Sequence, residues 1–132
     1  MNNNQIISGF DEDIDSSIRI RLGKIGDDIL LVSLNGYLDT YNSNSFSKKA
    51  EAILKAGYRK IIFECSDLKY ISSTGIGVFV NVLKQTKMLN NGDLVFASLN
   101  AKITDIFKLL GFHQFFTIKK TVAEAVEYLK TV

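Results

Sequence analysis

The sequence predicts an α/β domain: a single mixed, mostly parallel β-sheet that opens with an N-terminal antiparallel hairpin and carries about four helices packed on it. The first observation behind this is order. Runs with strand-type patterning alternate with runs of helical period, giving β-β-α-β-α-β-α-β-α along the chain. The second is size and composition. A chain of 132 residues with 46% hydrophobic and 23% charged residues fits one domain, and such a domain buries roughly two thirds of its unfolded surface without disulfide or metal. The third is the absence of proline, which leaves every strand and helix free of that breaker.

Residues 1–17 read as a polar, acidic tail, loosely ordered, with Ile6, Ile7 and Phe10 as its apolar patch. The domain proper is expected over residues 18–132. Ile18, Ile20 and Leu22 alternate with Arg19, Arg21 and Gly23, the period of a half-buried strand. Gly26-Asp27-Asp28 is turn chemistry, and Ile29 to Leu34 forms the return strand of a hairpin. Ser43 or Ser45 is placed to cap a helix whose apolar stripe is Phe46, Ala50, Ile53 and Leu54, with Gly57 as terminator. Ile61-Ile62-Phe63 is a strand buried on both faces. A helix follows from about Thr74 to Leu89, ended by Asn90-Asn91-Gly92, and Leu94-Val95-Phe96 is a further buried strand. Asn100 caps a helix carrying Ile103, Ile106, Phe107 and Leu110, closed by Gly111. Phe115 to Ile118 is a last short strand. Thr121 and Glu124 form a capping box before the final stripe of Val122, Ala125, Val126 and Leu129.

Composition excludes several function classes. Asp11, Glu12, Asp13 and Asp15 give residues 1–17 four negative charges and no positive one, so with a net charge of +2 the remainder carries +6. That excess is scattered, with Lys48-Lys49 and Lys119-Lys120 as its longest runs, and does not build the clustered basic face of a nucleic-acid binder. No run of ~18 apolar residues predicts a membrane span. The N-terminus lacks the basic start and apolar stretch of a signal peptide, and the single Cys65 points to a reducing compartment, so a cytoplasmic location is expected.

Catalytic chemistry finds little support. One cysteine and one histidine, far apart in sequence, make no metal cluster, and no cofactor is expected. Cys65 reads as a buried packing residue, and His113 as a loop or helix-end histidine without the partners of a triad. Gly75-Ile76-Gly77 is followed by Val80 where a dinucleotide loop needs its third glycine. Neither a phosphate-binding Gly-Lys-Ser/Thr nor a Gly-x-Ser-x-Gly elbow occurs. Asp39 and Asp67 could meet at strand ends, but they lack an accompanying oxyanion site. The chain is expected not to be an enzyme.

Ser72-Ser73-Thr74 stand where a buried strand hands over to a helix. One hydroxyl there suffices as a cap, worth ~1 kcal/mol. Three hydroxyls followed by Gly75 and Gly77 are more than capping requires, since each glycine costs a helix ~1 kcal/mol. A bare surface for close approach by another protein would explain them. A helix start also favours a phosphate through its free N–H groups and dipole.

At these residues the sequence resembles the STAS family, and within it the bacterial anti-sigma-factor antagonists. The family's Asp-Leu-Ser-x-Val-Asp-Ser-Ser-Gly-Leu-Gly is matched by the stretch from Asp67-Leu68-Lys69-Tyr70 to Ile71-Ser72-Ser73-Thr74-Gly75-Ile76-Gly77. Its Gly-x-Leu-Asp is matched by Gly36-Tyr37-Leu38-Asp39, and its later helix and Leu-Gly-Leu/Phe ending by Asn100-Ala101-Lys102-Ile103 and Leu110-Gly111-Phe112. The three motifs, in order, cover about residues 18–130. The resemblance implies a regulatory phosphate acceptor at Ser73, with partner contacts at Asp39, Ser72, Thr74, Gly75 and Ile76. It implies a partner, an anti-sigma factor that is also a serine kinase, and a serine phosphatase that reverses the mark. The chain departs from the family where Ser72 replaces the usual Asp before the acceptor, which makes Ser72 a rival acceptor. A competing expectation keeps the fold and drops the switch: a constitutive scaffold or a small-ligand-sensing STAS domain.

Overall fold

The structure, a computed structural model, describes residues 10–89 and 92–132. The elements are β1 (Phe10–Asp13), β2 (Ile18–Ile25), β3 (Ile29–Leu38), α1 (Ser43–Lys55), β4 (Lys60–Ile71), α2 (Ser73–Leu89), β5 (Asp93–Ala97), α3 (Ala101–Leu109), a single 3-10 turn at Phe112–Gln114, β6 (Thr117–Lys119) and α4 (Val122–Leu129). Among the described residues the strands form one six-stranded sheet in sequence order. β1–β2 and β2–β3 pair antiparallel, and β3 to β6 run parallel. This is the predicted class: the hairpin closes at Ile25↔Ile29 as the Gly26-Asp27-Asp28 turn requires, and each later strand follows a helix, as right-handed crossovers demand.

The last strand is Thr117–Lys119 rather than Phe115 to Ile118, with Phe115 closing the 3-10 turn before it, and the structure differs from the sequence reading in three larger respects. Phe10–Asp13, expected in the tail, is an edge strand paired with Arg19–Leu22; Ile6 and Ile7 of that tail, and the terminator Asn90-Asn91, lie outside the described residues. β3 runs four residues beyond Leu34, and β4 runs on from Phe63 to Ile71. These extensions pair with each other through two register shifts, ending at Tyr37↔Tyr70 and Leu38↔Ile71. Polar residues such as Glu64, Ser66 and Asp67 hid them, because one face of this half of the sheet has no helix over it. The shifts are needed to keep Cys65, Leu68 and Ile71 pointing into the core at three-residue spacing. At Gly36 the backbone takes φ +121°, and a Cβ would lie 2.1 Å from the Ser17 carbonyl oxygen, so only glycine fits the β2–β3 crossing. Third, neither Ser43 nor Ser45 caps α1. Asn42 occupies that position, and the Ser43 hydroxyl donates to the Asp39 carbonyl instead.

The core has two layers. On one face α1, α2 and α3 pack against the sheet around Phe46, Phe63, Phe79, Phe96, Phe107 and Phe116. Phe63 and Phe96 are stacked and the other ring pairs sit edge-on or tilted, with centroid separations such as 4.9 Å for Phe63–Phe79 and 5.2 Å for Phe96–Phe107. On the other face α4 covers only the end of the sheet near Ile29, Ile62 and Val95. It is pinned there by the Tyr128 hydroxyl, which donates to the buried Asp93 carboxylate at 2.6 Å, with Lys87 Nζ 3.5 Å from the same group. Among the described residues the remaining half of that face, toward Tyr37 and Tyr70, is uncovered.

Candidate functional site

β3 and β4 are parallel neighbours, so their carboxyl ends lie side by side, where open α/β sheets place their sites. Two connections meet there. The link after β3, Asp39 to Asn42, is held by reciprocal Asx bonds. One Asp39 carboxylate oxygen accepts from the N–H groups of Tyr41 (2.9 Å) and Asn42 (3.0 Å), and the Asn42 side-chain oxygen accepts from the Asp39 N–H (2.9 Å). The buried Asn42 amide also donates to the Tyr37 carbonyl at 2.9 Å. Asp39 therefore shapes this loop and presents Tyr41, which is 94% exposed.

The second connection is the junction of β4 and α2. Ser72 donates its N–H to the Leu38 carbonyl at 2.8 Å, continuing the ladder by one rung. Its hydroxyl accepts from the Gly75 N–H at 3.1 Å, and its carbonyl accepts from the Ile76 N–H at 3.0 Å. Ser72 is thus the N-cap of α2, 8% exposed and with its oxygen engaged. Ser73, the next residue, begins the helix and is exposed, as are Thr74 and Gly77. The three consecutive hydroxyls have separate surroundings: one turned inward as a cap, two outward.

Three of the residues expected to touch a partner are withdrawn from the surface, Ser72 as the cap just described and two others by packing. Ile76 is fully buried in the core. Gly75 is also buried, and a Cβ on it would come within 2.9 Å of Leu38 Cγ and 3.1 Å of Ile71 Cγ1. Glycine at 75 lets the first turn of α2 press onto its own sheet, so close approach by another protein is not its reason. Gly77 is different. Nothing lies within 4 Å of its would-be Cβ, so the helix carries a destabilising residue of ~1 kcal/mol with no internal cause.

The sequence reading did not single out the tyrosines. Tyr37 and Tyr70 are cross-strand neighbours, 48% and 40% exposed, and with Tyr41 they surround the open side of the junction. The signal was there: they stand out of phase with buried Leu38 and Ile71. Tyrosine offers apolar area with a polar tip, which suits a protein interface. Beside them a shallow cleft of about 600 Å³ is lined by Asp15, Ser17, Arg19, Asn35, Tyr37 and Lys69.

Cys65 is buried with its thiol donating to the Phe63 carbonyl (3.6 Å), and His113 is exposed in the 3-10 turn. Burial, with a smaller contribution from the Glu64 carboxylate, pushes the Cys65 thiol well above its ordinary range. The thiolate is the reactive form, so Cys65 is expected to resist Ellman's reagent at pH 8 in the native protein and to react stoichiometrically once unfolded. Fast native labelling would contradict its burial. Because the folded state holds this proton longer than the unfolded chain, the thiol's stabilising contribution is complete below ~8.5 and declines as pH rises beyond it. No group of three or more metal-type side chains occurs among the described residues, and no described helix is long and apolar enough to cross a membrane.

The cap assignment explains the departure at position 72. Serine and aspartate are comparable N-caps, so exchanging one for the other preserves the junction. Ser72→Ala is expected to lower stability by about 1 kcal/mol in chemical denaturation, while Ser72→Asp stays within about 0.5 kcal/mol of wild type. Equal losses for both would contradict the cap.

Comparison with known proteins places this geometry. A protein of Thermotoga maritima named "putative anti-sigma factor antagonist" is 32% identical over 108 residues, covering 81% of this chain and 95% of the relative. The crystal structure of a Thermotoga maritima protein bearing that description superposes with a TM-score of 0.77 at 30% identity, over 84% of this chain and 94% of that one. SpoIIAA, a Bacillus cell fate determinant solved in its phosphorylated form, shares the fold at 18% identity and a TM-score of 0.62, over 83% of this chain and 97% of its own. The model of the STAS domain matches residues 23–125, and with the sheet order and the β4–α2 junction described above, this chain belongs to the STAS domain family.

Proposed function

We propose that this chain is an anti-sigma-factor antagonist: it binds an anti-sigma factor that is also a serine kinase, and phosphorylation of Ser73 by that partner releases it. The observation that carries this reading is the division of labour at the α2 start. Ser72 has its hydroxyl committed to Gly75 and is buried, whereas Ser73 is exposed one residue further on. Accessibility supports Ser73 over Ser72 as the acceptor.

The physics of the switch is local. The first N–H groups of a helix have no intrahelical partners, and with Gly75 satisfied by Ser72 the neighbouring N–H groups of Ser73 and Thr74 can receive a phosphate oxygen. The phosphate adds about −1.5 to −2 charges at a place where the domain's own fold tolerates them. A partner seated on Tyr37, Tyr41, Tyr70 and Thr74 would have to desolvate that charge, and the complex opens. Asp39 contributes by holding the Tyr41 loop. Unphosphorylated, the protein sequesters the anti-sigma factor and frees the sigma factor; a serine phosphatase restores that state. The support from relatives is twofold: one is named for anti-sigma antagonism, and SpoIIAA, of the same fold, exists in unphosphorylated and phosphorylated forms.

The test is a binding and kinase assay with the anti-sigma serine kinase of the same genome. ATP is expected to dissociate the wild-type complex and to leave the Ser73→Ala complex intact. If ATP leaves both intact, the switch is absent and the constitutive scaffold takes its place.

A further inference from the structure

An apolar groove of about 290 Å³ lies between α2 and the turn after α3, lined by Val80, Leu83, Lys84, Phe112, Phe115 and Phe116. Phe115 is 68% exposed, and Leu109 and Leu110, which lead into the turn, are 84% and 43% exposed. Exposed apolar side chains beside an apolar groove suit an interaction site. The groove is continuous with the Ser73 site. Ser73, Gly77, Asn81 and Lys84 are all exposed and follow at helical spacing on one ridge of α2, and Lys84 also forms the wall of the groove. Eleven residues of helix span about 16 Å. A standard protein interface covers ~800 Å² on each partner, a patch roughly 30 Å across, so a partner centred on Ser73 reaches the groove.

We propose that the groove is the second half of the same partner's footprint. The anti-sigma kinase inserts an apolar side chain between Val80 and Phe115, passes close over Gly77, and sets an acidic group against Lys84. The proposal rests on the reading of Ser73 given above, and it supplies what that reading lacks: a contact away from the phosphate that gives the kinase affinity for its substrate. It also accounts for Gly77, whose missing side chain no contact among the described residues requires.

The test measures affinity of the purified anti-sigma serine kinase of the same genome for the full chain and five variants, Ser73→Asp among them, with melting temperature recorded for each. Phe115→Ala and Lys84→Glu alter exposed side chains and are expected to weaken binding at least tenfold at unchanged melting temperature. They should also raise the KM for Ser73 phosphorylation while leaving kcat unchanged. Gly77→Ala is expected to melt higher and bind more weakly. Glu127→Ala, on exposed α4, should bind as wild type. Wild-type affinity in both Phe115→Ala and Lys84→Glu would overturn the groove even if Ser73→Asp loses binding. Loss in the groove variants with Ser73→Asp unaffected would uphold the groove and overturn the switch.

Discussion

Ser73→Asp is expected to weaken binding of the anti-sigma kinase by roughly 100-fold, about 3 kcal/mol, while the melting temperature stays within a few degrees of wild type. The binding loss is the cost of burying an uncompensated charge at a desolvated contact. The unchanged stability follows from position. Ser73 is exposed at the start of α2, and the first turn of that helix contains no acidic residue. A carboxylate there interacts favourably with the helix dipole by a few tenths of a kcal/mol or more. Isothermal calorimetry and thermal melts on the same preparation separate the two quantities. A large fall in melting temperature would mean that Ser73 serves the fold and that lost binding reports unfolding.

Phe79→Ala is expected to have the opposite profile: a loss of about 3–5 kcal/mol in stability, seen as a melting temperature lower by roughly 10–20 °C. Phe79 lies on the inner face of α2, fully buried, with ring centroids 5.5 Å from Phe46 and 4.9 Å from both Phe63 and Phe96. Removing it empties the middle of the larger core layer and breaks three edge-on aromatic contacts, which add to the burial itself. A domain of this size has only ~5–15 kcal/mol in hand. Differential scanning calorimetry checks the effect. A loss below about 1 kcal/mol would mean that the aromatic cluster is looser than these distances describe.

The contrast between the two positions shows what was legible in the sequence. The helix that carries Phe79 was readable as a helix, although Phe79 itself was not singled out as core; the hairpin, the parallel strands and the caps Asn100 and Thr121, each of which accepts the N–H three residues on, were readable as well. Those features depend on local pattern. The polar extensions of β3 and β4 were not readable, because Asn35, Glu64, Ser66 and Asp67 belong to a half-sheet that no described helix covers, and alternation there is interrupted by two register shifts. β1 was hidden for a related reason. Its Asp11 and Asp13 look like a solvated acidic run, yet in register they stand opposite Arg21 and Arg19. At the site, the motif located the junction, but three adjacent hydroxyls and two glycines look alike in sequence. Only the packing separates Ser72 from Ser73, and Gly75, pressed on Leu38, from Gly77, whose would-be Cβ meets no described residue within 4 Å. Ile76 was assigned to the partner by its place in the motif, and the helical phase turns it into the core.

In the proposed mechanism Ser72 caps and Ser73 switches. Phosphosite mapping by tandem mass spectrometry, after incubation of the chain with the anti-sigma serine kinase proposed as its partner and ATP, tests it most directly. The phosphate is expected on Ser73 alone in the wild type and nowhere in Ser73→Ala. Phosphate on Ser72 or Thr74, or a complex released by ATP with Ser73 unmodified, would contradict it.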